Sequence, residues 1–231
     1  MGIRRHTTLA ALWLAPTLLF LAPTAYAFLP DTVVVTPGAS VVPGLVTANP
    51  GTLVNFFSFP PPFATSDGTT SGTYECVVYR NSGGTIDFYI QLNNSGASTD
   101  AIARETNMSF LGFATAVGYR TDGSSLLNPL LVNGTIAPVE ADRSPGADVV
   151  GFNFQPPAAS EILPGEISNV LVISTDATFF SLGNLSIING GVASGVATVE
   201  GYQPATIPEP GTFSFMVVGF VTLLALRRRA P

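Results

Sequence analysis

The stretch TIDFYIQL, residues 85 to 92, decides the fold class of this chain of 231 residues. Its apolar side chains stand at every second position: Ile86, Phe88, Ile90 and Leu92. A period of two is the pattern of a β-strand, because successive side chains point to opposite faces of a sheet. The intervening positions include Asp87 and Tyr89, so the segment predicts a half-buried strand whose second face meets solvent.

A second strand precedes this one and completes a β-hairpin. YECVVYR, residues 74 to 80, is rich in β-branched and aromatic residues, and Asn81-Ser82-Gly83-Gly84 supplies a turn between the two strands. Tyr74, Cys76 and Val78 share one face of the predicted strand. Cys76 is the only cysteine, and we expect it to be a buried small apolar residue rather than a reactive thiol.

Short strand candidates of the same kind continue along the chain. They cover residues 32–35, 52–59, 108–119, 148–154, 169–175 and 185–188, and clusters of proline, glycine and asparagine separate them. The segment 98–107 fits either a short helix or an edge strand, and we expect a last strand after residue 190, before a linker over 204–211. The pattern predicts an all-β body over residues 28–203, folded as an antiparallel β-sandwich of about eight to ten strands. A jelly roll and a Greek-key arrangement both fit.

The first 27 residues have the composition of a secretory signal peptide. Arg4 and Arg5 precede an apolar stretch over residues 9–21, and Ala25-Tyr26-Ala27 is a small-x-small cleavage site. A permanent membrane helix is the alternative, and two prolines and the short length of the apolar stretch disfavour it. We therefore expect Sec-type export, cleavage by signal peptidase after Ala27, and a mature chain that begins at Phe28.

The body between the two terminal segments is strongly acidic. Residues 28–209 contain four arginines, no lysine and fifteen carboxylates, and the single histidine, His6, lies in the leader. Because a surface of this sign repels phosphate groups, we expect neither nucleic-acid binding nor docking to anionic lipid. A single cysteine allows no internal disulfide, so the hydrophobic core alone must hold the body together.

The body lacks the residue types that most catalytic sites and transition-metal sites need. Serine and cysteine triads need a histidine or lysine base, and zinc, iron and copper sites need histidine or several cysteines. Carboxylate pairs of the glycosidase type need no histidine, but no acid stands in an aromatic context and the body contains no tryptophan. We therefore predict a non-catalytic protein without a cofactor.

Two weaker binding interpretations stay open. Glu140, Asp142 and Asp148 surround a turn, and carboxylates on a loop are the hard oxygen ligands that calcium takes. Alternatively, a strand face binds glycan through exposed tyrosines or binds ice through a regular threonine array. The candidate tyrosines are Tyr74, Tyr79, Tyr89 and Tyr119. Carboxylates that face water and tyrosines that pack in the core are the simpler explanations.

The C-terminal segment has the features of a short membrane anchor. Residues 211–226 carry no charge, and Arg227-Arg228-Arg229 follow them. As a helix this stretch measures about 24 Å, slightly less than the roughly 30 Å hydrocarbon layer. We expect one transmembrane helix over 212–226, with a basic cytoplasmic tail at 227–231 and the body outside. Pro208 and Pro210 stop the helix from extending backwards and leave Glu209 in an extended, accessible segment.

Pro208-Glu209-Pro210-Gly211, the apolar stretch and the arginines together resemble the PEP-CTERM sorting signal of bacterial surface proteins. The resemblance covers residues 207–229, and the secretory leader agrees with it. It implies that exosortase, a membrane-embedded cysteine transpeptidase, recognises the tail and cuts it near the motif. The implied product is a cell-surface or extracellular-matrix protein associated with biofilm and exopolysaccharide. It would form through an intermediate anchored in the inner membrane with its body outside.

Parts of the body carry a fainter resemblance. GTIDFYIQLNNS, FLGFATAVGYRTDG and VVGFNF are similar to segments of uncharacterised β-rich proteins that carry this sorting signal. The resemblance implies an all-β body and no particular activity. Some proteins with the same signal bind ice, so a secreted glycan- or ice-binding module that is sorted by the same route is the alternative function.

Overall fold

The computed structural model describes residues 28–126, 128–190 and 194–206, and this part of the chain is all-β, as predicted. It contains fourteen strands and two short 3-10 turns, Gly123–Ser125 and Ala158–Ser160. The strands are β1 (Val33–Val34), β2 (Ser40–Val41), β3 (Gly44–Leu45), β4 (Thr52–Phe56), β5 (Pro62–Ala64), β6 (Ser71–Arg80), β7 (Ile86–Asn94), β8 (Ile102–Asn107), β9 (Thr115–Arg120), β10 (Glu140–Arg143), β11 (Val150–Asn153), β12 (Val170–Thr175), β13 (Phe179–Asn189) and β14 (Val196–Ala205).

These strands form two sheets. The first has the order β1-β9-β12-β7-β6-β4, with β3 beside β9 and β5 beside β6, and the second has the order β14-β13-β8-β11-β10-β2. Among the described strands, β3 and β9 form the one parallel pair, and the other pairs are antiparallel. The predicted hairpin is β6 with β7, in which Arg80 pairs with Ile86. Asn81 closes its turn, because the side-chain oxygen accepts hydrogen bonds from the N–H groups of Gly83 and Thr85.

The two sheets share one hydrophobic core. Its members from both sheets include Tyr74, Cys76, Phe88, Ile90, Leu92, Ile173, Val150, Phe152, Leu185 and Ile187. Phe88 packs edge-to-face on Phe110, with the ring centroids 5.9 Å apart. Cys76 has no exposed surface, and burial raises the pKa of its thiol to about 12, so its predicted role as a buried small residue is confirmed.

The opposite face of the first sheet is buried as well, so the expectation of a half-buried strand at residues 85–92 is wrong. Asp87, Tyr89 and Gln91 are at most 5% exposed. A second hydrophobic cluster, which we call the outer hydrophobic cluster, lies on this face: Leu29, Val46, Val77, Tyr79, Tyr89, Leu126, Leu131, Val170 and Val172. Leu29 and Leu131 lie outside the strands, in segments that cross the outside of the sheet. The alternation of apolar and polar residues within one strand cannot show that another segment covers its polar face, because the covering residues are distant in sequence.

Three other segments differ from their predicted structure. Residues 98–107 contain β8, which lies between β13 and β11 inside the second sheet and is therefore neither a helix nor an edge strand. The turn predicted around residues 140–148 begins with a strand, β10. Strand β14 continues two residues past the predicted end of the body at Gln203. The strand count exceeds the predicted eight to ten, and four of the fourteen strands have only two or three residues.

The segments predicted to serve export and sorting lie outside the described residues. They are the leader 1–27, the linker from residue 207 onward, the membrane helix 212–226 and the basic tail 227–231. Within the described ranges, no helix has the length and apolar character needed to cross a bilayer.

Candidate functional site

The described residues include only one residue of the predicted processing signals. Phe28, the expected first residue of the mature chain, is half-buried at the start of the structure. Ala25, Ala27, Pro208-Glu209-Pro210-Gly211 and Arg227-Arg228-Arg229 lie outside the described ranges. Their roles in cleavage and sorting stay predictions.

The chain enters the fold directly after Phe28. Leu29 is 3% exposed and belongs to the outer hydrophobic cluster. Its N–H donates a hydrogen bond of 2.9 Å to Oγ of Ser174, and Ser174 Oγ donates one of 2.6 Å to Oδ1 of Asp87. A cavity of about 620 Å³, which we call the amino-terminal cavity, lies beside this entry point and is lined by Phe28, Leu29, Arg80 and Asn81 among others.

Four carboxyl side chains of the described body are buried: Glu75, Asp87, Glu105 and Glu161. Glu75 also lines a small cavity of about 150 Å³. Burial raises the pKa of Glu75 and of Asp87 to about 7 and that of Glu105 to about 8. Glu105 points between the sheets, beside Phe152 and Ile187 in the strand register, and it has no exposed surface. An acid without accessible surface cannot meet a substrate, so the raised pKa of Glu105 does not by itself indicate catalysis.

The structure does not gather the carboxylates of the proposed calcium site. Asp142 lies on β10, where Nη2 of Arg104 donates a hydrogen bond of 2.8 Å to Oδ1 and Asn153 Nδ2 donates one of 2.9 Å to Oδ2. The Arg104 hydrogen bond lowers the pKa of Asp142, which is thus engaged by a cation from the protein itself. Within residues 28–206 as described, no group of three or more metal-ligating side chains converges.

The tyrosines considered for glycan stacking are mostly inaccessible. Tyr74, Tyr79 and Tyr89 are at most 3% exposed, and only Tyr119 is half-buried. Tyr79 and Tyr89 instead pack on each other in the outer cluster, with ring centroids 4.7 Å apart. The predicted tyrosine surface is therefore wrong, because Tyr74 packs in the core between the sheets, and the segments that cover the first sheet bury Tyr79 and Tyr89.

The structure brings together a different row of residues, five polar and one glycine, that the sequence did not indicate. One residue from each strand of the second sheet stands in cross-strand register: Thr198, Ser186, Thr106, Gly151, Asp142 and Ser40. At the usual strand spacing of about 4.8 Å this polar row measures roughly 24 Å. The neighbours Leu185 and Ile187 of Ser186 belong to the core, so the row lies on the opposite side of the sheet.

A groove of about 680 Å³ lies at one end of the first sheet. Hydroxyl, amide and apolar side chains line it, among them Phe63, Ser71, Thr73, Asn93, Ser95 and Ile167. Asn93 is exposed, and its neighbour Asn94 is fully buried. A concave surface with apolar walls and several polar groups is the general form of a small-ligand or saccharide site.

Comparisons with protein-family models, curated proteins and solved structures give no significant match to this chain.

Proposed function

We propose that this chain is an exported, non-catalytic cell-surface or extracellular-matrix protein with a C-terminal sorting signal. The observation that carries the proposal is Pro208-Glu209-Pro210-Gly211 in front of an uncharged stretch and three arginines, in a chain that also begins with a secretory leader. Each part supports one step of delivery. The leader directs Sec-type export, and the uncharged stretch holds the intermediate in the inner membrane.

Exosortase then acts as a transient partner of this intermediate. Pro208 and Pro210 fix the backbone around Glu209, so a membrane-embedded enzyme meets a short, extended segment with one negative charge. Cleavage near this motif would remove the anchor and leave the body at the cell surface or in an exopolysaccharide matrix. This proposal explains why the chain carries the motif, the apolar stretch and the arginines after the β-domain.

The body has properties that suit such a role. Two sheets around one core support a sandwich, of jelly-roll or Greek-key type, that needs no disulfide after export. The excess of carboxylates over arginines keeps the body soluble and away from anionic lipid. A scaffold of this kind can be displayed or released without a cofactor.

Substitution in the motif tests the proposal. Glu209→Gln, or Arg227-Arg228-Arg229 changed together to Gln, should leave uncut precursor in the inner-membrane fraction. Glu200→Gln is the matched control, because Glu200 is an exposed carboxylate on β14 only nine residues upstream. Normal processing of both altered chains, measured by fractionation and intact mass, would contradict the sorting assignment.

A glycan- or ice-binding module is the second candidate, and the groove favours it. The groove offers amides and hydroxyls to a saccharide. Of the polar row, Thr198 and Ser40 at its two ends are exposed, whereas Ser186, Thr106 and Gly151 at its centre are buried. Asn93→Ala should abolish binding on a glycan array and Thr198→Lys should abolish inhibition of ice recrystallisation, whereas Asn184→Ala should change neither. If the unaltered chain shows no saturable binding to glycan or ice, the non-catalytic surface or matrix role remains the better proposal.

A further inference from the structure

Asp87 is a buried acid that lacks a charged partner. It has no exposed surface, and its Oδ1 accepts hydrogen bonds from Ser174 Oγ at 2.6 Å and from Asn81 Nδ2 at 3.1 Å. Its Oδ2 is also buried and has no hydrogen-bond partner among the described residues. A buried carboxylate is costly unless a cation or further donors compensate for the lost water. This environment therefore favours a positively charged donor at Oδ2.

No arginine of the described chain supplies that donor, because all four are bonded elsewhere. Arg104 and Arg120 pair with Asp142 and Asp122. Arg80 donates to the carbonyl oxygens of Gly84 and Thr178, and Arg143 donates to those of Phe110, Phe113 and Ala147. The sequence contains no lysine, and its one histidine is in the predicted leader. The remaining cation on this side of the predicted membrane is the amino group of the mature chain.

That amino group would arise close to Asp87. Leu29 N–H donates to Ser174 Oγ, which donates to Asp87, so two consecutive hydrogen bonds connect the second residue of the predicted mature chain to this acid. The nitrogen of Phe28 is one residue upstream. Phe28 and Asn81, one of the Asp87 donors, both line the amino-terminal cavity, so the start of the mature chain and the surroundings of the acid meet at this point.

We propose that Asp87, Ser174 and Asn81 form a binding site for the α-ammonium group of Phe28, which removal of the leader creates. Hydrolysis of the Ala27–Phe28 peptide bond adds water, leaves a carboxylate on Ala27 and leaves an amine on Phe28 that takes up a proton. The amide nitrogen of the precursor is neutral and has one N–H, whereas the product is a cation with three donors. The ion pair thus locks the start of the chain onto the outer hydrophobic cluster only after export. This inference rests on the proposed export step.

The absence of lysine gives a selective chemical test. In a mature chain that begins at Phe28, the α-amino group is the only primary amine. The exported protein is purified and treated with N-hydroxysuccinimide acetate at neutral pH, and acetylation is followed by mass spectrometry. Only the unprotonated amine reacts, so an ion pair that raises the pKa of the amine by one unit slows acetylation about tenfold. We expect slow reaction in the unaltered chain and fast reaction in Asp87→Asn.

Asp31→Asn is the matched control, because Asp31 is an exposed carboxylate in the same amino-terminal segment. It removes the same charge and should leave acetylation slow. A second variant keeps Asp87 and moves the amine by one residue, through insertion of an alanine after Ala27. This extension should lower the melting temperature by about 3–6 °C, because the amine can no longer reach Asp87. In the Asp87→Asn background the extension should change nothing.

The outcomes separate this inference from the proposed function. Equal acetylation rates in the unaltered and Asp87→Asn chains, or an extension that costs nothing with Asp87 present, would overturn the ion pair and leave the export proposal intact. An exported chain that starts at another residue would also overturn it, since the amine would then be elsewhere. A chain that keeps residues 1–27 would contradict the export step itself.

Discussion

Arg104 on β8 reaches across β11 to Asp142 on β10, with 2.8 Å between Nη2 of the arginine and Oδ1 of the carboxylate. Gly151, on the intervening strand, makes this possible. A Cβ atom at Gly151 would stand 2.3 Å from Arg104 Nη2, which is too close for both to keep their positions. The glycine therefore leaves space for an ion pair between strands that are not neighbours.

Gly151→Ala should destabilise the protein by about 1 kcal/mol, because the displaced guanidinium loses its hydrogen bonds to Asp142. Replacement of glycine by alanine also lowers the conformational entropy of the unfolded chain, and this effect alone would stabilise the protein. Chemical unfolding measures the change in the free energy of unfolding. Gly146→Ala is the control, since no heavy atom lies within 4 Å of a Cβ placed there.

A second background sharpens this test. If displacement of Arg104 is the cause, Gly151→Ala should cost less in a chain that already carries Asp142→Asn, because the ion pair is then absent. An equal cost in both backgrounds would show that the alanine acts through something other than this pair.

Stability should fall as the pH rises from about 4.5 to 8. Burial raises the pKa of Glu105 to about 8 and of Glu75 to about 7, against about 4.3 in an unfolded chain. The folded state therefore binds more protons than the unfolded state in this range, and each group reduces the free energy of unfolding by up to about 1.4 kcal/mol per pH unit. Hydrogen bonds from Arg120 and Arg104 lower the pKa of Asp122 and Asp142, so these acids reduce stability only at still lower pH.

Glu105→Gln isolates the largest of these contributions. It should make the fall in melting temperature between pH 5 and 8 less steep, because glutamine does not titrate. Glu200→Gln removes an exposed carboxylate and should leave the slope unchanged. A melting temperature that rises between pH 5 and 8, or a slope that Glu105→Gln does not alter, would contradict the burial of an ionisable Glu105.

The first residues after the leader should be part of the stable core. Leu29→Ala removes a side chain that is 3% exposed in the outer cluster and should cost about 2–4 kcal/mol in unfolding free energy. Val34→Ala, five residues further on, changes a side chain that is 54% exposed and should cost less than about 0.5 kcal/mol. Similar small effects for both variants would mean that the amino-terminal segment does not cover the sheet.

The sequence predicted the inner face of the fold well, and the reason is local. Phe88 and Ile90 alternate with Asp87, Tyr89 and Gln91 within one strand, and the turn at Asn81 stands directly before that strand. The period and the turn residues are therefore both visible in a short window of the sequence. The outer face was not predictable in this way. Tyr89 is covered by Leu29 and Leu131, which are about 60 and 40 residues away in the sequence.

In the second sheet, too, contacts between residues distant in sequence could not be predicted from a short window. Residues 98–107 were predicted as a short helix or an edge strand, yet β8, which contains Arg104 and Glu105, lies inside the sheet. One charge is paired with Asp142, and the other side chain is a buried carboxyl with a raised pKa. The polar row through Thr106 and Ser186 depends on the register of strands that are not consecutive, and no short sequence window contains that register.

The intact mass of the exported protein tests the sorting account most directly, because one measurement reports both ends of the chain. The account predicts a chain that begins at Phe28 and ends near Pro208-Glu209-Pro210, without the apolar stretch. A water-soluble exported chain that still carries Arg227-Arg228-Arg229 would contradict it.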